Sequence, residues 1–154
     1  MCCWRYMRNK QDAEDMLQNG FLKFYKALDG FHCNVQEILH GYVKTIMINL
    51  CVDELKKKHT LYTVWEHLPP YTEVLENPFA EEDAQQIRLL ITELPAGFRV
   101  VFNLYAVDGY THKEIGEMLD ISENTSRSQY KRARTVLQTK LAEIKKSNNN
   151  EGSK

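Results

Sequence analysis

Nothing in this chain pairs a nucleophile with a base, builds a glycine-rich phosphate loop or repeats a metal-ligand spacing, so no enzyme activity is expected. Its four cysteines, Cys2, Cys3, Cys33 and Cys51, contain no C-x-x-C pair. Adjacent Cys2 and Cys3 make a poor tetrahedral pair even with His32, His40 and His59 nearby in sequence. The cysteines therefore read as reduced thiols, with no metal and no cofactor. No apolar run approaches the roughly 20 residues of a membrane span. The start, MCCWRYMRNK, lacks the apolar core of a signal peptide, which leaves a cytoplasmic protein without membrane insertion as the expectation. No segment has the alternation of a credible strand. What is present, 43% hydrophobic and 27% charged residues over 154 positions, suits a folded chain of one ordinary domain or two small ones.

A net charge of −1 conceals a segregation. Between residues 122 and 146 seven Lys or Arg face only Glu123 and Glu143, a local +5. Between 66 and 94 seven acids face only Arg88, a local −6. Such a division suggests one surface for nucleic acid and another for a basic channel or partner.

The basic stretch organises the chain. In 111–141, THKEIGEMLDISENTSRSQYKRARTVLQTKL, Thr111 and Glu114 have the spacing of a capping box, which starts a helix at His112. Ile115, Met118 and Leu119 give it an apolar face. Asp120 and Ile121 leave room only for a short turn, and Ser122 is placed to cap the next helix. There Ser126, Tyr130, Ala133, Leu137 and Leu141 follow one inward stripe. Ser126 on that stripe carries a hydroxyl, so Ser126→Val is expected to stabilise the domain through added apolar burial. Arg127 and Lys131 point outward for base edges or phosphates, with Ser122, Glu123, Asn124, Thr125 and Ser128 near the bases. Arg132 and Arg134 are placed for phosphates. A basic amphipathic helix can be a plain solvated face. Here cap, turn and charge agree on a helix-turn-helix that offers cations and short polar groups to a major groove.

Upstream, the periodicity predicts a helix over 12–28 with Ala13, Met16, Leu17, Phe21, Phe24 and Leu28 on its apolar side. Residues 31–41 lack a period and read as a loop. A second helix is predicted over 42–57, with Val43, Ile46, Met47 and Leu50 inward and Thr45, Asn49, Asp53 and Lys56 along a polar ridge. Lys56, Lys57 and Lys58 close it, favourable for its dipole and for phosphate. Pro69, Pro70, Pro78 and scattered acids mark a linker. Helices follow over 83–93 and 96–107, broken at Leu94 and Pro95 and ended by Asp108 and Gly109. The expected architecture is all-α: a helical domain over 1–60, an acidic linker over 61–83, a helix-turn-helix domain over 84–146 and a disordered tail over 147–154.

This order of pieces resembles the extracytoplasmic-function sigma factors, the small promoter-recognition subunits of bacterial RNA polymerase. RYMRNKQDAEDMLQNGFLKFYKAL looks like the polymerase-binding region, and IMINLCVDELKKK looks like the helix that reads and opens the minus-ten element. ITELPAGFRVVFNLYAVDGYTHKEIGEMLDISENTSRSQYKRARTVL looks like the minus-thirty-five domain. The resemblance implies that Asp12, Glu14, Asp15, Gln18 and Lys23 dock on the clamp region of the largest subunit of core RNA polymerase. It implies that Asn49 meets an unstacked minus-ten base, with Asp53, Lys56 and Lys57 beside it on promoter DNA. It also implies an anti-sigma factor as a further partner, and an acidic linker that threads a basic polymerase channel. Ser126 stands where the family has a small hydrophobe. The family's first helix is missing, and Phe21, Leu22, Phe24 and Tyr25 span more than one face of the 12–28 helix. The expectation is an exposed apolar patch and a reading frame that extends upstream by roughly 20 residues, one helix. Two other readings stay open on the sequence. One is a stand-alone helix-turn-helix regulator; the other is a decayed sigma-like protein that binds polymerase but cannot open promoters.

Overall fold

The computed structural model describes residues 2–28, 36–58 and 84–151, and the chain divides into two compact units, Met1–Leu61 and Tyr62–Lys154. Every regular element among the described residues is helical. The expected 61–83 linker lies outside them.

The first unit holds α1 (Cys2–Tyr6), α2 (Lys10–Ala27) and α3 (Gln36–Lys57). Asn9 caps α2: its Oδ1 accepts from the Asp12 amide at 2.7 Å, satisfying one of the donors a helix start leaves open. The helix therefore begins slightly before the predicted position. Ala13, Met16 and Gly20 form its buried line. A Cβ on Gly20 would fall 2.1 Å from Met47 Sδ, so this glycine lets α2 and α3 approach closely.

Two expectations for this unit fail. Helix α3 starts at Gln36, so much of the 31–41 stretch read as loop is helical. Its inward side is also rotated. Met47 is buried as expected, but its companions are Ile48, Cys51, Val52 and Leu55, while Val43, Ile46 and Leu50 are half-exposed. Apolar residues lie almost all round the helix from Ile46 to Val52, so periodicity could not select the buried arc. The polar ridge is confirmed: Thr45, Asn49 and Asp53 are exposed and Lys56 is half-buried.

The predicted apolar patch is present on α2. Phe21, Leu22, Tyr25 and Leu28 are exposed, by 73% at Tyr25, although Phe21 and Leu28 were expected inward. Together with Gln18 and Phe24 they line a shallow groove of about 650 Å³.

The second unit holds α4 (Ala84–Glu93), α5 (Ala96–Phe102), a π-helical segment (Asn103–Val107), α6 (His112–Leu119) and α7 (Glu123–Glu151). Its core gathers Leu90, Ile91 and Leu94 from α4 and the chain beyond it, Phe98 and Phe102 from α5, and Ala133, Leu137 and Leu141 from α7. Burying each of the leucine, isoleucine and phenylalanine side chains stabilises the fold by about 1.5–3 kcal/mol before entropy is counted. The α4–α5 corner is closed by a buried cation. Arg99, only 3% exposed, donates from Nη1 to the carbonyls of Thr92 at 3.1 Å and Leu94 at 2.9 Å. Those carbonyls lie at the helix end, where no intrahelical donor remains. Helix α7 continues through Glu151, so the disordered tail expected from residue 147 is helical for most of its length. Ser147 helps by donating to the Glu143 carbonyl at 3.1 Å.

Candidate nucleic-acid interface

The helix-turn-helix is assembled by local hydrogen bonds that its sequence announced. Thr111 Oγ1 accepts from the Glu114 amide at 3.2 Å, and Glu114 Oε2 accepts from the Thr111 amide at 2.8 Å, a complete capping box. The Thr111 amide, then the Thr111 hydroxyl that also donates to Oε2 at 2.7 Å, hold the Glu114 carboxyl below its ordinary pKa. Helix α6 stops at Asp120, which adopts φ 56° and ψ 44°. The left-handed conformation is tolerated by Asp because its short side chain bonds locally. The chain then folds over Gly116: a Cβ there would meet the Ile121 carbonyl oxygen at 2.7 Å. Ser122 begins α7, accepting from the Thr125 amide at 3.0 Å.

The inward stripe of α7 matches expectation at Ser126, Ala133, Leu137 and Leu141, with Tyr130 half-buried. Gln129, 5% exposed, is an addition the stripe did not include. Ser126 has a partner the sequence did not reveal. Its Oγ lies 2.9 Å from Nδ1 of His112, and both groups are buried. The Ser126→Val expectation is thereby corrected, because valine would strand the imidazole nitrogen in the core.

His112 is enclosed further. The Tyr105 ring stacks on it at 4.1 Å and 10°, and Tyr130 packs edgewise at 4.6 Å from Tyr105. Tyr130 also stacks on Phe102 at 5.8 Å. Tyr105 itself is 39% exposed. It belongs to the π-helical turn, where the Asp108 amide reaches back to the Asn103 carbonyl at 2.9 Å. That wider turn holds an additional residue and offsets the side chains beyond it. Burial, then the nearby Arg127 charge, pushes the His112 pKa below its ordinary value. Burial likewise raises that of Tyr130.

The predicted DNA-contact residues of this unit form one surface on α7. Ser122, Glu123, Asn124, Arg127, Ser128 and Lys131 are exposed; Thr125, Arg132 and Arg134 are half-buried. Arg127 Nη2 donates to Glu123 Oε1 one turn earlier. An exposed pair of this kind contributes about 0–1 kcal/mol, so a phosphate or a base edge can draw Arg127 away at little cost.

The first unit carries the other predicted residues on two helices. On α3, Asn49, Asp53 and Lys57 are exposed and Lys56 is half-buried. On α2, Glu14, Asp15, Gln18 and Lys23 are exposed. Asp12 differs from them. Its Oδ2 accepts from Asn9 Nδ2 and from Lys58 Nζ, each at 3.0 Å, and Lys58 also lies 3.4 Å from Glu54. The bond to Asp12 raises the Lys58 pKa. Asp12 thus holds the start of α2 to the end of α3.

Both units have known relatives. Residues 2–60 match the sigma-70 region 2 family and residues 84–137 match sigma-70, region 4. The ECF RNA polymerase sigma factor SigW of Bacillus subtilis is 28% identical, over 92% of this chain and 82% of that protein. SigE of Mycolicibacterium smegmatis is 29% identical over 90% of this chain, which spans 55% of that protein. The ECF RNA polymerase sigma-E factor of Escherichia coli is 25% identical over 84% of this chain and 74% of that protein.

Proposed function

Because the chain belongs to the extracytoplasmic-function type of RNA polymerase sigma factors, we propose a division of its work among three helical faces. As a member it binds core RNA polymerase and directs promoter-specific transcription initiation. In our reading α7 enters the major groove of the minus-thirty-five element. Arg127 and Lys131 reach base edges or phosphates, Ser122, Glu123, Asn124, Thr125 and Ser128 lie close to the bases, and Arg132 and Arg134 hold the backbone. The capped start of α7 carries this reading, since it sets the exposed polar row at the end of a helix that the core fixes in rotation.

On α3, Asn49 meets an unstacked minus-ten base. Its amide can donate and accept at once against a splayed base edge. Asp53 stands beside it, and Lys56 and Lys57 attract the phosphates. On α2, Glu14, Asp15, Gln18 and Lys23 meet the polymerase clamp, with exposed Phe21, Leu22 and Tyr25 supplying apolar area. Asp12 supports that surface through its bond to Lys58. An anti-sigma factor would compete for these same faces.

The test is transcription from a cognate promoter by purified core polymerase with and without the chain, paired with binding to minus-thirty-five DNA. Arg127→Ala is expected to lose about 1–3 kcal/mol of discrimination between cognate and scrambled DNA. Arg134→Ala is expected to weaken both DNAs alike and to lower the salt slope by about one. Discrimination unchanged in Arg127→Ala would remove the base-reading role. Polymerase binding without transcription would leave the chain as an interaction module only.

A further inference from the structure

The apolar groove on α2 is bracketed by charges sorted along the helix. Phe21, Leu22, Tyr25 and Leu28 stand exposed there, with Gln18 and Phe24 completing the lining. Glu14 and Asp15 lie toward the helix start, Lys23 and Lys26 toward its end, and all four are exposed. Lys10, a cation at the acidic end, lies 3.6 Å from Glu14 one turn on. Asp15 and Lys26 are eleven residues apart, which is three helical turns to within about 20°. Both therefore lie on one flank of the groove, in line with Leu22 between them. Their midpoint is level with Gly20 and Phe21, close to the centre of the apolar face. A two-fold axis that lays this helix antiparallel on a copy of itself brings opposite charges together at both ends.

We propose that this face is a self-association surface whose occupant is a second copy of the chain, α2 against α2 in antiparallel pairing. Phe21 and Leu22 of the two copies meet at the axis. Gln18 of each lies beside Tyr25 of the other, where an amide can bond a hydroxyl. Each Asp15 meets Lys26 of the second copy, and the two-fold makes this ion pair twice. A parallel pairing would set the acidic ends side by side, which like charges disfavour. Helix α2 has 18 residues, a length of about 27 Å. Contact through one helix pair falls short of the roughly 1,200 Å² of a stable interface, so the dimer is weak and exchanges with monomer. Asp15, Gln18 and Leu22 also belong to the face proposed for the polymerase clamp. On that reading, dimer and polymerase complex exclude one another.

Sedimentation of the full chain over a concentration series tests the surface. Wild type is expected to pass from monomer to dimer as concentration rises. Leu22→Glu puts a carboxylate at the axis and is expected to abolish the dimer. Asp15→Lys and Lys26→Glu each turn two attractions into two repulsions and are expected to raise the dissociation constant roughly tenfold. Mixed one to one, these two variants regain opposite charges at both contacts, as does the double variant Asp15→Lys/Lys26→Glu. Both samples are expected to return close to the wild-type constant, a recovery that misfolded variants could not show. A wild-type chain that stays monomeric throughout the series overturns the proposal. So does a dimer that survives Leu22→Glu, or a mixture without recovery. None of these measurements uses polymerase, so they stand or fall apart from the clamp reading. The exclusion is read separately, from polymerase complexes expected to hold one chain each; a complex that retains the dimer would end it.

Discussion

The two units handle apolar surface in opposite ways. In the second, α4, α5 and α7 close over a common core, and even Ser126 and His112 are paired inside it. In the first, α2 keeps Ala13, Met16 and Gly20 inside but presents Phe21, Leu22 and Tyr25 outward. Isolated exposed apolar residues are ordinary; several in one groove mark a surface that meets something else. Apolar burial is more complete in the unit proposed to read duplex DNA, and exposed apolar area is gathered in the unit proposed to meet the polymerase.

Truncating leucines on either side of that division gives the largest contrast. Leu137→Ala, at a fully buried position, is expected to destabilise the second unit by about 2–5 kcal/mol. Leu22→Ala, 59% exposed, is expected to change stability by no more than about 0.5 kcal/mol yet to weaken binding to core polymerase. Urea unfolding and a polymerase pull-down measure the two effects. A Leu22→Ala chain that unfolds early would place that residue in a core and end the comparison.

A smaller effect is expected at Ser126. Ser126→Val leaves the His112 nitrogen buried without its partner and is expected to cost about 1–3 kcal/mol. Pairing it with His112→Phe removes both polar groups and is expected to recover most of that loss. Thermal melts of the single and double variants decide. No recovery in the double variant would mean that the imidazole does more than bond Ser126.

The smallest effect is one of pH. The folded pKa of His112 lies below its ordinary 6.5, so the unfolded chain binds more protons than the folded one in the interval between them. Stability therefore rises with pH across that interval. It is fully present above about 6.5 and is lost progressively as pH falls toward the folded value. Melting temperature against pH is expected to flatten in His112→Phe, and an equally steep curve would assign the dependence to another group.

What could be read from sequence was what local chemistry decides. The capping box at Thr111 and the cap at Ser122 each involve residues three apart, and both form as predicted. The α7 stripe was legible because charged and small polar residues fill the rest of that helix. Helix α3 offered no such contrast, so its buried arc was misassigned. The Ser126 partner lies fourteen residues away on another helix, and the Cys3–Met47 contact joins positions farther apart still. The π-helical turn adds a residue to the 96–107 helix, which the sequence pattern did not show. Among the candidate DNA-contact residues the exposed positions followed from periodicity. The Asp12–Lys58 tie did not, because it depends on how α2 and α3 meet.

The joints of the helix-turn-helix have a consequence for chirality. Helix α6 is preceded by Gly109 at φ 81° and followed by Asp120 at φ 56°. A short right-handed rod is therefore flanked by two residues of mirror-image backbone. Glycine is indifferent to hand, but an L-residue in that conformation is disfavoured by roughly 1–2 kcal/mol, less for Asp. A D-amino acid at position 120 would sit there without that penalty. The orientation of the proposed DNA-reading helix thus turns on a joint whose preferred stereochemistry is opposite to that of the chain around it.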